Sequence, residues 1–205
     1  MNLQALATHT IDVDLLPEAP VVLDVGCRWF DFTKAILALR PKARVIALDP
    51  SSDVRWEMDL PLFQVQLFHM AMVGDNRFSS NFAEGIAGDG GGNFCLDAAL
   101  HGDYKIRTVL CTNVQKLMAA HLVKRFDVVK LDCEGSEFGI LENWPGPVAT
   151  QISVEFHDWD KPQYKAETYF DALWRKLPWY KVLQHELSKQ GTGVGHWDSL
   201  LVLEK

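Results

Sequence analysis

Solid apolar runs alternate with helical periodicities along most of this chain. Val21 to Val25, in "APVVLDVGC", reads as a short buried strand that ends in a glycine turn. In "FTKAILALRP", Phe32, Ala35, Ile36 and Leu39 recur at helical spacing, and Pro41 closes the helix. "ARVIALDP" is a second buried strand over residues 45–48, stopped by Asp49 and Pro50. A weak helix is expected through Val54, Trp56 and Met58. "FQVQLFHMAMVGD" reads as one third strand, with a turn at residues 74–76.

The rhythm breaks over residues 78–111. "RFSSNF" and "YKIRTVLC" read as strands, separated by a stretch with five glycines between 85 and 92. No regular element tolerates that density, so a hairpin tip or a lid is expected there. Order returns at "TNVQKLMAAHL", an amphipathic helix that Thr112 or Asn113 can cap. "FDVVKLD" is the next strand, residues 136–143 a short helix, and "TQISVEFHD" another strand. Phe170, Leu173, Trp174 and Leu177 mark the last helix, before Pro178. "YKVLQHEL" and "WDSLLVLEK" follow as two strands joined closely enough to pair antiparallel. Strands buried on both sides, alternating with helices, predict a mostly parallel α/β sheet covered on both faces. With 205 residues, no repeat and no linker, one domain over 1–205 is expected, with 1–18 as an N-terminal extension and 78–111 as an insertion.

Composition narrows the function. The formal net charge of −7 disfavours nucleic acid as an obligate partner, because phosphate neutralisation needs a basic face. No apolar run approaches a membrane span. The first 27 residues hold no Lys or Arg but four acids, unlike a secretory or transit leader. Cys27, Cys95, Cys111 and Cys133 lack metal-knuckle spacing, and free thiols in a reducing cytoplasm are expected.

Two acids end consecutive strands. Asp24 closes the first, and Asp49 closes the second, where a carboxylate can accept two ribose hydroxyls. The loop between them, "GCRWFDF", has only Gly26 and no G-x-G-x-x-G, which disfavours a dinucleotide pyrophosphate and a nicotinamide oxidoreductase. S-adenosylmethionine, with an ammonium and a sulfonium and no phosphate, suits an acid-lined pocket.

"VLDVGCRWFDFT", "VIALDPSS", "VVKLDCEGSEFGIL" and "ISVEFHD", in this order, resemble the FkbM-type family of S-adenosylmethionine-dependent methyltransferases from about residue 21 onward. The most specific piece is "KLDCEGSE". The resemblance implies a Rossmann-like, seven-stranded methyltransferase sheet with an antiparallel C-terminal strand, and methyl transfer to a hydroxyl oxygen of a small molecule, a lipid head or a sugar. It implies S-adenosylmethionine held by Asp24, Gly26, Cys27, Asp49, Pro50, Ser51 and Met72. Phe30 stands where the family usually has glycine, and Arg28 where it usually has asparagine. These two, with Trp29, carry a second reading: a binding module whose loop is plugged against cofactor.

Asp132, Lys130 and Glu134 crowd one strand end, on the side where methyl and acceptor should meet. Lys130 and Asp132 share a strand face. Glu134 and Glu137 stand where acids also serve a helix start. His157, at the next strand end, is the expected general base, with Glu155 on its face to orient it. Asp132, Glu155, His157 and Asp158 can also be read as ligands for a divalent ion, but nothing in the spacing fixes a geometry, so no metal is expected.

Overall fold

The computed structural model describes residues 1–52, 54, 60–85, 94–95, 104–157, 167–189 and 195–204. Its centre is a seven-stranded sheet. The strands are β3 (Val21–Val25), β4 (Arg44–Leu48), β5 (Val65–Phe68), β10 (Phe126–Leu131), β11 (Ala149–Phe156), β12 (Tyr180–Lys189) and β13 (Gly195–Leu203). They lie in the order β12-β13-β11-β10-β3-β4-β5. β3, β4, β5, β10 and β11 are parallel to their neighbours within that group. β13 is antiparallel to both β11 and β12. This is the expected sheet, and its topology reverses between β3 and β10, where an open α/β sheet leaves a crevice.

Alternation along the strands explains the two layers. Val22, Val45, Ala47 and Val128 face one side, where they meet Phe32 and Ile36 of α1 (Asp31–Leu39) together with Leu6 and Ile11 from the N-terminus. Leu23, Ile46, Val129 and Ile152 face the other. There they meet α2 (Val114–His121), α3 (Glu137–Glu142) and α4 (Glu167–Lys176) through Leu117, Phe138 and Phe170. Both faces are dry, which is why the strands read as unbroken apolar runs. Asn113 is the cap of α2, its side chain accepting from Lys116 N at 3.0 Å.

Two stretches differ from expectation. Residues 64–76 form two strands rather than one. After β5, Met70 N donates to Phe68 O in a tight turn, and the chain leaves the main sheet for β6 (Ala71–Met72). β6 joins β7 (Ser79–Gly85), β8 (Phe94–Cys95) and β9 (Tyr104–Thr112) in a second sheet of order β6-β9-β7-β8. The N-terminal extension is itself folded, as a hairpin of β1 (Leu3–Leu6) and β2 (His9–Asp12) followed by a 3-10 turn over Val13–Leu15. Gln151 of β11 staples it down: its Oε1 accepts from Asp12 N at 2.8 Å, and its Nε2 donates to Asp12 O at 3.2 Å. Most of the weak helix expected near Trp56 and Met58, the core of the glycine-rich stretch, and Asp158 fall outside the described residues.

Candidate active site

A cavity of about 280 Å³ opens at the carboxyl ends of β3, β4 and β10, on the α1 face. Every residue expected to hold the cofactor lines it: Asp24, Gly26, Cys27, Asp49, Pro50, Ser51 and Met72. Lys130, Asp132 and Glu134 line it too, and His157 does not.

The floor is a buried ion triad. Lys130 and Asp24 sit opposite each other in the register of β10 and β3. Lys130 Nζ lies 3.4 Å from Asp24 Oδ1 and 3.3 Å from Asp132 Oδ2, and donates to Gly26 O at 2.7 Å. Burial alone would strip the Lys130 proton, but Asp132 and Asp24 hold its pKa above the ordinary lysine value. Burial would likewise protonate Asp132, yet the Lys130 ammonium and the imidazoles of His9 and His157 hold its carboxyl well below the usual range. The two strand ends meet closely at Gly26, which has φ +78°; a Cβ there would fall 1.7 Å from Asp132 O. Only glycine fits that backbone approach.

The donor end has acids with capacity left over. Asp24 is fully buried; Thr33 Oγ1 donates to its Oδ2 at 2.6 Å, while Oδ1 makes no hydrogen bond. A buried carboxylate oxygen on a cavity wall suits an ammonium donor. Asp49 accepts from Arg28 N at 3.0 Å and from Ser51 N at 2.8 Å, which aims the carboxylate across the cavity. Burial raises its pKa, partly offset by the Ser51 and Arg28 bonds. Burial also pushes the Cys27 thiol well up, so it serves as a neutral wall. These residues fit a cationic nucleoside cofactor.

Phe30 does not narrow this cavity. It is fully buried among the α1-side core residues, and the backbone turns it there through a left-handed φ of 57°. Trp29 is 56% exposed and packs with Arg28, whose guanidinium carbon is 5.2 Å from the indole centroid. The plugged-loop reading thus loses Phe30, while Arg28 and Trp29 line the cavity.

The acceptor end is more crowded. The turn after β10 carries Glu134 at φ 54° and Gly135 at φ 99°. Glu137 holds that turn: its Oε1 accepts from Cys133 N at 2.7 Å and its Oε2 from Gly135 N at 2.8 Å. Burial pushes the Glu134 carboxyl up to about 7, with His157 opposing and Asp132, Glu137 and Glu155 adding to the rise. His157 is enclosed by acids, with Nδ1 3.3 Å from Glu137 and Nε2 3.3 Å from Glu155 and 3.7 Å from Glu134. Burial would deprotonate it, but Glu137 and Glu155 push the imidazole up to about 12. A ring so held is an imidazolium brace.

Sequence reasoning missed the hairpin tip. Ala7, Thr8 and His9 line the cavity opposite Asp132, with His9 Nε2 3.5 Å from Asp132 Oδ2. Phe82 of β7 lines it as well. The second sheet is latched to the loop after β4, where Glu84 accepts from Ser52 N and from Arg107 Nη2. The one signal for His9 was its place in the alternation His9, Ile11, Val13, which is too short to read.

The model of the methyltransferase FkbM domain matches residues 19–187. No curated protein matches the chain in sequence. Among solved structures, M. capricolum TrmK in complex with S-adenosyl-homocysteine superposes with a TM-score of 0.54 at 10% identity, over 95% of this chain and 70% of that one. A Methanococcus jannaschii fibrillarin, a pre-rRNA processing protein, superposes with a TM-score of 0.55 at 10% identity, over 98% of this chain and 73% of that one. At such identity the two structures speak for the fold. The family match covers most of the sheet and every motif around the cavity, and so this chain belongs to the methyltransferase FkbM domain family, whose methyl donor is S-adenosylmethionine.

Proposed function

We propose that this chain methylates a hydroxyl oxygen of a small polar acceptor, a sugar or another polyhydroxylated compound. The observation that carries this reading is Glu134. Its carboxylate lines the cavity beside Asp132, and its buried Oε2 makes no hydrogen bond. The Glu134 carboxylate, which lines the cavity while its Oε2 faces His157 Nε2 at 3.7 Å, would take a proton from a hydroxyl or orient one. The wall around it carries Asp132, His9, Thr8 and Ser136, which are partners for hydroxyl groups.

S-adenosylmethionine, when bound, supplies an electrophilic methyl on a sulfonium. Asp49 would hold the ribose, and Asp24 with Asp132 the ammonium end, Lys130 keeping the Asp132 carboxyl ionised. The Glu134 carboxylate would accept the acceptor's proton. His157 lies off the cavity wall with both ring nitrogens on glutamates, so its role is to fix Glu134, Glu137 and Glu155 in place, not to act as the base.

The test is a panel of sugars and polyols with labelled donor, comparing the parent with Glu134→Gln. Affinity for S-adenosylhomocysteine should be unchanged by calorimetry. Turnover should fall by about 10²–10⁴-fold, the usual contribution of a general base. Full turnover in the variant would remove Glu134 from the chemistry, and methylation of nitrogen acceptors alone would sink the hydroxyl reading.

A further inference from the structure

We propose that His9, Asp132 and Glu155 form a site for one divalent cation of the manganese-to-zinc group, at the acceptor end of the cavity. The three side chains come from the start of β2, the end of β10 and the end of β11. One ligand atom from each lies within 4.8 Å of the others. One imidazole with two carboxylates is a nitrogen–oxygen donor set suited to these ions.

His9 is the observation that points to a ligand. It is 3% exposed, and its Nε2 makes no hydrogen bond. Its other nitrogen, Nδ1, lies 3.4 Å from Ser153 Oγ, which sets the ring so that Nε2 faces the carboxylates. The separation from Nε2 to Asp132 Oδ2 is 3.5 Å. Two ligands of one ion at bonds of about 2.1 Å stand roughly 3.0–3.5 Å apart. A cation among the three would bind at Nε2, which the folded chain leaves without a hydrogen bond.

Two other trios converge nearby, Asp132–Glu134–His157 and Glu155–His196–Asp198. Their imidazoles each meet at least two carboxylates: His157 meets Glu137 and Glu155, and His196 Nε2 lies 3.5 Å from Glu155 and 3.6 Å from Asp198, whereas the one carboxylate in ion-pair reach of His9 Nε2 among the described residues is Asp132. The His9 trio therefore carries the proposal. Charge agrees with it. Asp132, Glu134, Glu137, Glu155 and Asp198 form a linked group, and Lys130 is the one lysine or arginine the described residues place in ion-pair contact with it. Five carboxylates against Lys130 and the His157 imidazolium leave an excess of negative charge that favours a bound cation.

The ion would hold the acceptor oxygen and ease loss of its proton to Glu134. That role rests on the hydroxyl-methylation reading; binding of the ion does not.

The experiment titrates Mn²⁺ into metal-free protein and follows bound ion by electron paramagnetic resonance. Pulsed measurements then look for an imidazole nitrogen coupled to the metal. One bound ion is expected, with a nitrogen coupling that disappears in His9→Gln and at least a tenfold loss of affinity in Glu155→Gln. Both variants should keep their affinity for S-adenosylhomocysteine. If His9→Gln does not fold, the coupling in the parent and the loss in Glu155→Gln decide. No binding of Mn²⁺ or Zn²⁺ at millimolar concentration would overturn the site, as would binding unchanged in both variants. A chelator that stops methylation of the sugar panel while leaving S-adenosylhomocysteine binding intact supports the acceptor role. Methylation indifferent to chelator overturns that role. An ion bound as expected, with no hydroxylated acceptor methylated, overturns the hydroxyl reading and leaves the site standing.

Discussion

The donor end of the cavity comes from neighbouring pieces of chain, and the acceptor end from distant ones. Asp24 and Asp49 close two adjacent strands, and the loop between them supplies Gly26 and Cys27. The acceptor end joins the N-terminal hairpin to the β10 turn, with β11 and β13 packed behind them, and His9 and Ser153 stand 144 residues apart in sequence. Local pieces can present the same groups to a common donor in many proteins. An end assembled from remote segments can be changed without disturbing the donor, and it is there that selectivity is expected to reside.

Lys130 joins the two ends, and removing it is the strongest way to break the comparison. Lys130→Met would leave Asp24 and Asp132 buried without their shared cation. Stability should fall by about 3–5 kcal/mol, as for a broken buried pair. Adding Asp24→Asn should recover part of it, a non-additivity that urea unfolding of the single and double variants would reveal. A loss under about 1 kcal/mol would mean that the two ends are energetically separate.

Asp49→Ala should sharpen the contrast. The variant loses charge-assisted hydrogen bonds to the ribose, and calorimetry should show at least a tenfold weaker S-adenosylhomocysteine complex, about 1.4 kcal/mol or more. Mn²⁺ affinity should not move. If both ligands weaken together, the division into two ends is wrong. The smallest effect is expected at Asn113, whose cap holds α2 on the opposite face of the sheet. Asn113→Ala should cost about 1 kcal/mol in thermal or urea unfolding and change neither affinity.

What could be read beforehand divides along the same line. The strand ends at Asp24, Asp49 and Asp132 were legible because a buried run followed by an acid and a turn is a local signal. The seven-stranded sheet followed from the resemblance more than from periodicity. Phe30 was misjudged because its direction depends on one left-handed residue, and a side chain's type does not reveal the sign of φ. His157 was placed at the right strand end, but its enclosure by Glu134, Glu137 and Glu155 needs three elements in space. His9 was invisible because its partners are set by the docking of β2 against β11.

The position of β13 bears on how the molecule is made. It follows β12 in sequence yet lies between β12 and β11, and β12 has no other neighbour in the sheet. During synthesis, β12 must therefore wait outside the growing sheet until β13 leaves the ribosome. His196 and Asp198, which meet Glu155, arrive on that same late strand. A nascent chain stalled before residue 195 already carries every described residue that lines the cavity, while Glu155 still lacks His196 and Asp198. Vectorial translation thus supplies the partners of Glu155 last.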